Sequence, residues 1–258
     1  MKTKITLEFD DSFKETLINV LPLLKKYNVP ATFSIVSNFN KKELDGLKIA
    51  DEKDVQKIVG RGHEIASHSH NHVPLAKKKI ISLTNLKYFL IGNKKDYLQI
   101  LFKSLTTSNQ ISRISLEDEI SLPKKILDKF YDVRSLTYPG GAYDKEVIEI
   151  AKREYDSART TERGINKRDT NRFKLKAMLW NKNTSSTEAK KWVKETIKKQ
   201  AWLIEVFHLV TDKNTSKYYY SVSLKEFEKH LIFLKNLEQK KIIVIKTRKG
   251  IVKELQKV

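Results

Sequence analysis

Three histidines crowd the segment His68-Ser69-His70-Asn71-His72, the densest set of metal-ligating side chains in this 258-residue chain. Residues four apart on a helical turn share a face, so His68 and His72 can reach one ion while His70 points elsewhere. The carboxylate pair Asp10-Asp11 ends the first run of alternating apolar residues. One carboxylate with two imidazoles leaves coordination positions open for water and substrate, as in catalytic rather than structural zinc sites. Such an acidic pair equally suits a helix N-terminus, where negative charge favours the dipole, so the pair alone does not decide.

The elements that must position these residues alternate between strand and helix. Ile5, Leu7 and Phe9 mark a strand over residues 3–9. Ser12-x-x-Glu15 then reads as a capping box opening a helix with Phe13, Leu17, Val20, Leu21 and Leu24 on one face. Further strands are expected at 31–36, 63–67, 133–138, 155–161, 173–179, 202–208 and 241–246. Helices are expected at 51–59, 115–130 and 144–153, around Trp192, and from Ser223 through Phe227, Leu231 and Leu234. This alternation implies a mostly parallel sheet whose functional residues sit at strand C-termini. Asp10-Asp11, His68, Pro139-Gly140 and His208 all fall there. Residues 76–113 are lysine-rich, fit the pattern poorly, and are expected to form a basic insertion on a single domain spanning 1–258.

The composition, 40% hydrophobic and 32% charged, fits a globular chain. Its apolar runs are strand-sized, so no transmembrane segment is expected. The N-terminal residues lack an uninterrupted apolar stretch and a small-residue cleavage site, which makes the cytoplasm the expected compartment. With no cysteine, disulfides, thiolate ligands and a thiol nucleophile are excluded. The net charge of +20 would attract an anionic polymer or surface, but the lysines are dispersed and no nucleic-acid recognition motif accompanies them. Nothing in the sequence speaks to an oligomeric state.

The motifs carry a family resemblance over residues 3–245. Leu7-Glu8-Phe9-Asp10-Asp11 resembles the opening motif of the polysaccharide deacetylases, the family-4 carbohydrate esterases with the NodB homology domain. The stretch from Gly62 to His72 is similar to their second motif, which ends in His-Ser/Thr-x-x-His. Tyr138-Pro139-Gly140-Gly141 resembles the third, and Val206-Phe207-His208 the last. The resemblance implies a distorted (β/α) barrel of about seven parallel strands. It makes Asp11, His68 and His72 ligands of a divalent metal, zinc first, with cobalt, nickel or iron compatible with the same donors. It makes Asp10 the general base, His208 the general acid and the Gly140 amide a donor to the oxyanion. The substrate it implies is an N-acetylated amino sugar in a polysaccharide, glycolipid or sugar precursor. Hydrolysis of another C–N bond, in a cyclic imide or ureide, and a catalytically impaired glycan-binding relative stay open beside it.

One position departs from the family. The third motif usually carries an arginine two residues before its proline, orienting the base, and here that residue is Thr137. Arg159, at the end of another expected strand, can supply the missing cation. For substrate contacts, Tyr138 and Pro139 lie in the third motif, and Trp180, just past a strand, is the best placed of three tryptophans to stack on a pyranose. Tyr218, Tyr219 and Tyr220 follow His208 and are candidates to line the groove. His63 is expected to serve packing, and His230 to lie at the surface or the edge of the core.

Overall fold

The structure is a computed structural model that describes residues 2–76, 114–212 and 218–256. The expected insertion at 76–113 therefore lies outside the described residues except for Ala76. Strand β1 (Thr3–Phe9) leads to helix α1 (Lys14–Lys26), β2 (Thr32–Ile35) and a small hairpin of β3 (Glu43–Leu44) and β4 (Leu47–Lys48). Next come α2 (Glu52–Gly60), β5 (Glu64–Ser67), α3 (Leu116–Leu127) and β6 (Ser135–Thr137). A 3-10 turn at Pro139–Gly141 precedes α4 (Lys145–Glu154), β7 (Ser157–Arg163) and β8 (Leu175–Leu179). Helix α5 (Ser186–Lys198), β9 (Trp202–Phe207), and the short pair β10 (Leu209–Thr211) and β11 (Ser221–Ser223) follow. The last elements are α6 (Leu224–Gln239), β12 (Ile243–Ile245) and α7 (Arg248–Gln256).

Seven parallel strands close into a barrel in the order β1, β2, β5, β6, β7, β8, β9 and back to β1. Strand β12 pairs with the N-terminal half of β1, Thr3 to Ile5, below the point where β2 joins it at Glu8 and Phe9. The resemblance implied this architecture. The period of two in each strand sorts its side chains. Ile5, Leu7, Phe9, Phe33, Ile65 and Leu136 pack outward with the helices in one large apolar cluster. Their neighbours Glu8, Asp10, Ser34, Glu64, His68 and Thr137 are buried on the inner face. At the other end Leu175, Trp202 and Ile204 meet Ile251 and Val252 of α7, so that helix plugs the barrel at the strand N-termini.

Two local expectations are corrected. Ser12 does not cap α1: it adopts φ +44°, and its hydroxyl donates to Ser34 O at 2.9 Å, leaving Phe13 at the N-cap. The pull of the barrel rim on this loop overrides the local capping signal. His230 is wholly buried, not at the surface, because its ring bonds Glu205 at 2.8 Å in the layer between barrel and helices. Ser223 does cap α6, accepting from the Glu226 amide at 3.2 Å. Helix α7 has no counterpart among the expected elements.

Candidate metal and catalytic site

At the C-terminal mouth of the barrel, β1 delivers Asp10 and Asp11 and β5 delivers His68. The segment from His68 to His72 is a loop rather than the helical turn expected. Ser69 and His72 take φ of +60° and +58°, and these two left-handed turns bring His72 back over His68. Strain of that kind persists only where neighbours impose it. Here Ser69 Oγ accepts the His72 amide at 2.9 Å. Glu119 of α3, buried, accepts the His70 and Asn71 amides at 3.1 and 2.9 Å and the Asn71 side-chain amide at 2.7 Å. No sequence motif pointed to Glu119, which lies 48 residues from Asn71. His70 points away from the cluster, onto Ser37 Oγ at 2.9 Å.

Asp11 Oδ1 lies 3.3 Å from His68 Nε2 and 3.0 Å from His72 Nε2. Among the described residues these three offer donor atoms all within 4.8 Å of one another. Donors each about 2.0–2.1 Å from one tetrahedral ion stand roughly 3.3 Å apart, so the spacing fits a first-row divalent metal. The ring orientation fits too. Thr137 O can only accept, so the 2.9 Å contact makes His68 Nδ1 a donor and leaves Nε2, the atom facing Asp11, as the one to hold a metal. Burial would raise the Asp11 carboxyl, but His72 and His68 beside it hold it well below the ordinary range. The same carboxylate pushes His68 up against the desolvation that would lower it. Tyr218 donates to Asp11 Oδ2 at 3.3 Å, so this tyrosine reaches the cluster itself.

Asp10, next in the chain to a candidate ligand, faces a different set of groups. Ser34 Oγ donates to Oδ1 at 3.0 Å, and Arg159 Nη2 reaches Oδ1 at 2.6 Å and Oδ2 at 2.5 Å. Arg159 Nε donates to Glu8 Oε2 at 2.7 Å, and the whole side chain is buried. Burial would raise the Asp10 carboxyl, but Arg159, with His68 and His208, outweighs it and holds the group at about 2. Across from it, His208 Nε2 lies 3.9 Å from Asp10 Oδ2. Tyr220 stacks on the His208 ring at 4.9 Å between centroids, and among the described residues the buried His208 Nδ1 has no hydrogen-bond partner. Desolvation lowers the His208 pKa, opposed by Asp11 and Asp10.

The third-motif residues divide. Gly140 is exposed in the 3-10 turn after β6 with φ +57°. Gly141 needs φ +71° in a spot where a Cβ would collide with Thr161. Tyr138 and Pro139 are buried. Tyr138 spends its hydroxyl on Phe173 O at 3.2 Å and stacks on Tyr143, so its side chain is not a groove wall as expected. Trp180 is likewise corrected. It is 0% exposed and packs against Trp192, Phe207 and His230, leaving no face for a sugar.

Comparison with known proteins bears on the family and the fold. A family model described as polysaccharide deacetylase matches residues 1–154. The poly-β-1,6-N-acetyl-D-glucosamine N-deacetylase of Staphylococcus epidermidis is 25% identical over 156 residues, 59% of this chain and 45% of that protein. The chain spans about half the length of the curated relatives it matches, 49% and 45%. Among solved structures, the Streptococcus pyogenes deacetylase PplD in complex with acetate superposes with a TM-score of 0.53 at 20% identity, covering 73% of this chain and 69% of that one. The Bc1960 peptidoglycan N-acetylglucosamine deacetylase gives 0.51 at 16% identity, covering 96% and 86%. These structures share the fold. Among the described residues no helix is long and apolar enough to cross a membrane.

Proposed function

The chain belongs to the polysaccharide deacetylase family, and from that premise we propose that it hydrolyses N-acetyl groups of amino sugars in a glycan, glycolipid or sugar precursor. Asp11, His68 and His72 are the residues that would hold a divalent metal, zinc by preference. One observation carries the reading: a carboxylate clamped in its ionised form by Arg159 stands beside a carboxylate–imidazole–imidazole cluster of ligand spacing.

When bound, a divalent ion supplies Lewis acidity, polarising an acetamide carbonyl and easing deprotonation of a water. The residues divide the remaining work. Asp10, with its lone pairs ordered by Ser34 and Arg159, accepts the proton of the attacking water as a new C–O bond forms at the acetyl carbon. The Gly140 amide, in an exposed turn, is the donor for the negative charge that develops on the acetyl oxygen. His208 delivers a proton to the amine nitrogen as the C–N bond breaks, so acetate and a free amino sugar leave. Arg159 thereby serves the orienting role that Thr137 cannot.

The test is acetate release from a panel of N-acetylated sugars and oligomers by the zinc-loaded chain. Release is expected, abolished by a chelator and by His68→Ala, and restored by zinc, cobalt, nickel or iron to differing extents. Metal-loaded protein that frees amine without acetate, or neither, overturns the reading.

A further inference from the structure

Arg248 opens α7 and is wholly buried. Its amide donates to Thr32 Oγ1 at 3.1 Å, at the start of β2. Its guanidinium reaches across the barrel interior to the other end of β6. Nη1 donates to Leu136 O at 2.7 Å, Nη2 to Thr137 Oγ1 at 2.9 Å, and Nε lies 3.2 Å from Glu8 Oε1. Taking a guanidinium out of water is unfavourable until its partners compensate. Plugging the barrel does not require it, since Ile251 and Val252 close the same end with apolar contacts.

Counting hydrogens gives the network a direction. The single Ser34 hydroxyl hydrogen goes to Asp10 Oδ1. The 2.9 Å contact between Thr137 Oγ1 and Ser34 Oγ must therefore be donated by Thr137. Thr137 in turn accepts from Arg248. The result is a one-way row of donors, Arg248 to Thr137 to Ser34 to Asp10, in an interior where each bond polarises the next. A second route converges on the same carboxylate: Glu8 faces Arg248 with one oxygen and holds Arg159 with the other, and Arg159 grips Asp10.

We propose that Arg248 is a positioning residue for Asp10, so that the C-terminal helix sets the orientation of the base from the far end of the barrel. The idea rests on Asp10 being that base. Position 137, where the family usually carries its arginine, becomes here a relay between an arginine at the barrel floor and the mouth.

Two variants test it. Thr137→Val cuts the hydroxyl row while leaving Arg248 on Glu8 and Leu136. Arg248→Lys keeps a cation for Glu8 but lacks the fork that serves Leu136 and Thr137 together. In the zinc-loaded chain each is expected to lower kcat about tenfold or more with KM and zinc affinity unchanged, because a misplaced catalytic group costs rate rather than binding. The double variant is expected to be no slower than the slower single one, since both break the same row. Crystal structures of the variants are expected to show Asp10 turned away from Ser34. Wild-type kcat and Asp10 orientation in both variants, with only a lowered Tm for Arg248→Lys, overturns the proposal and leaves Arg248 a structural residue. Should the wild-type chain release no acetate, the functional reading fails on its own, and the Asp10 orientation in Thr137→Val still decides the positioning claim.

Discussion

Arg159 Nη2 lies 2.6 Å from Asp10 Oδ1 and 2.5 Å from Oδ2, across 149 residues of chain, with both side chains buried. A bond to each oxygen from a cation held by Glu8 keeps the carboxylate ionised, ready to act as a base, and restrains its rotation together with Ser34. Arg159→Lys, which keeps the charge and loses the fork, is expected to lower kcat roughly a hundredfold, with zinc still bound. Arg159→Met leaves Glu8 and Asp10 short of a partner and is expected to cost about 3–5 kcal/mol of stability. Steady-state kinetics and denaturant unfolding check both. Undiminished turnover in Arg159→Lys would show that the clamp is dispensable.

Metal removal should be visible without any substrate. A ligand that binds only the folded state stabilises it, by about 2.7 kcal/mol when present at a hundred times its Kd. Thermal unfolding of the chain is therefore expected to shift upward with zinc and back with a chelator. His72→Ala and Asp11→Ala should abolish that shift, because each removes one of the three donors. A shift that survives either substitution places the metal elsewhere.

His63 gives stability a pH dependence of known sign. It is buried against Phe33, and desolvation, with Arg61 nearby, lowers its pKa from 6.5 to about 4. The unfolded chain then binds a proton that the folded one refuses. This contribution is whole above about pH 6.5, declines as pH falls toward 4, and is flat below it. Between those limits the slope approaches about 1.4 kcal/mol per pH unit. Urea unfolding at pH 7, 6 and 5 should show this decline in the wild type and a shallower one in His63→Gln. Equal slopes would mean that His63 takes up its proton alike in the folded and the unfolded chain.

Trp180 separates packing from recognition. Its indole is enclosed by Trp192, Phe207 and His230, so Trp180→Ala is expected to cost about 3–5 kcal/mol of stability. Trp180→Phe, which keeps most of the volume, should leave KM unchanged. A KM raised severalfold in a stably folded Trp180→Phe would return the residue to the substrate groove.

The part of this protein legible before folding is the part written in local pattern. Alternation in 3–9 and its repeats marked the strands, and strand ends marked Asp10-Asp11, His68 and His208, because a parallel barrel presents its strand C-termini at one mouth. The seven-stranded closure came from resemblance, since no pattern in a single strand states how many neighbours complete the circle. Tertiary structure alone decided what surrounds the carboxylates. Whether Arg159 met Asp10 or solvent depended on which face of β7 points inward and on a register spanning 149 residues. Glu119 and Arg248 carried no motif at all. One is a helix residue that organises a loop in a distant segment; the other is a cation at the start of an unanticipated helix, driven inward by carboxylates from other strands. Trp180 failed in the opposite sense, because an aromatic past a strand end looks the same in sequence whether the helices of the outer layer cover it or leave it open. Burial and the pairing of buried charge are properties of the closed barrel, and local spacing does not encode them.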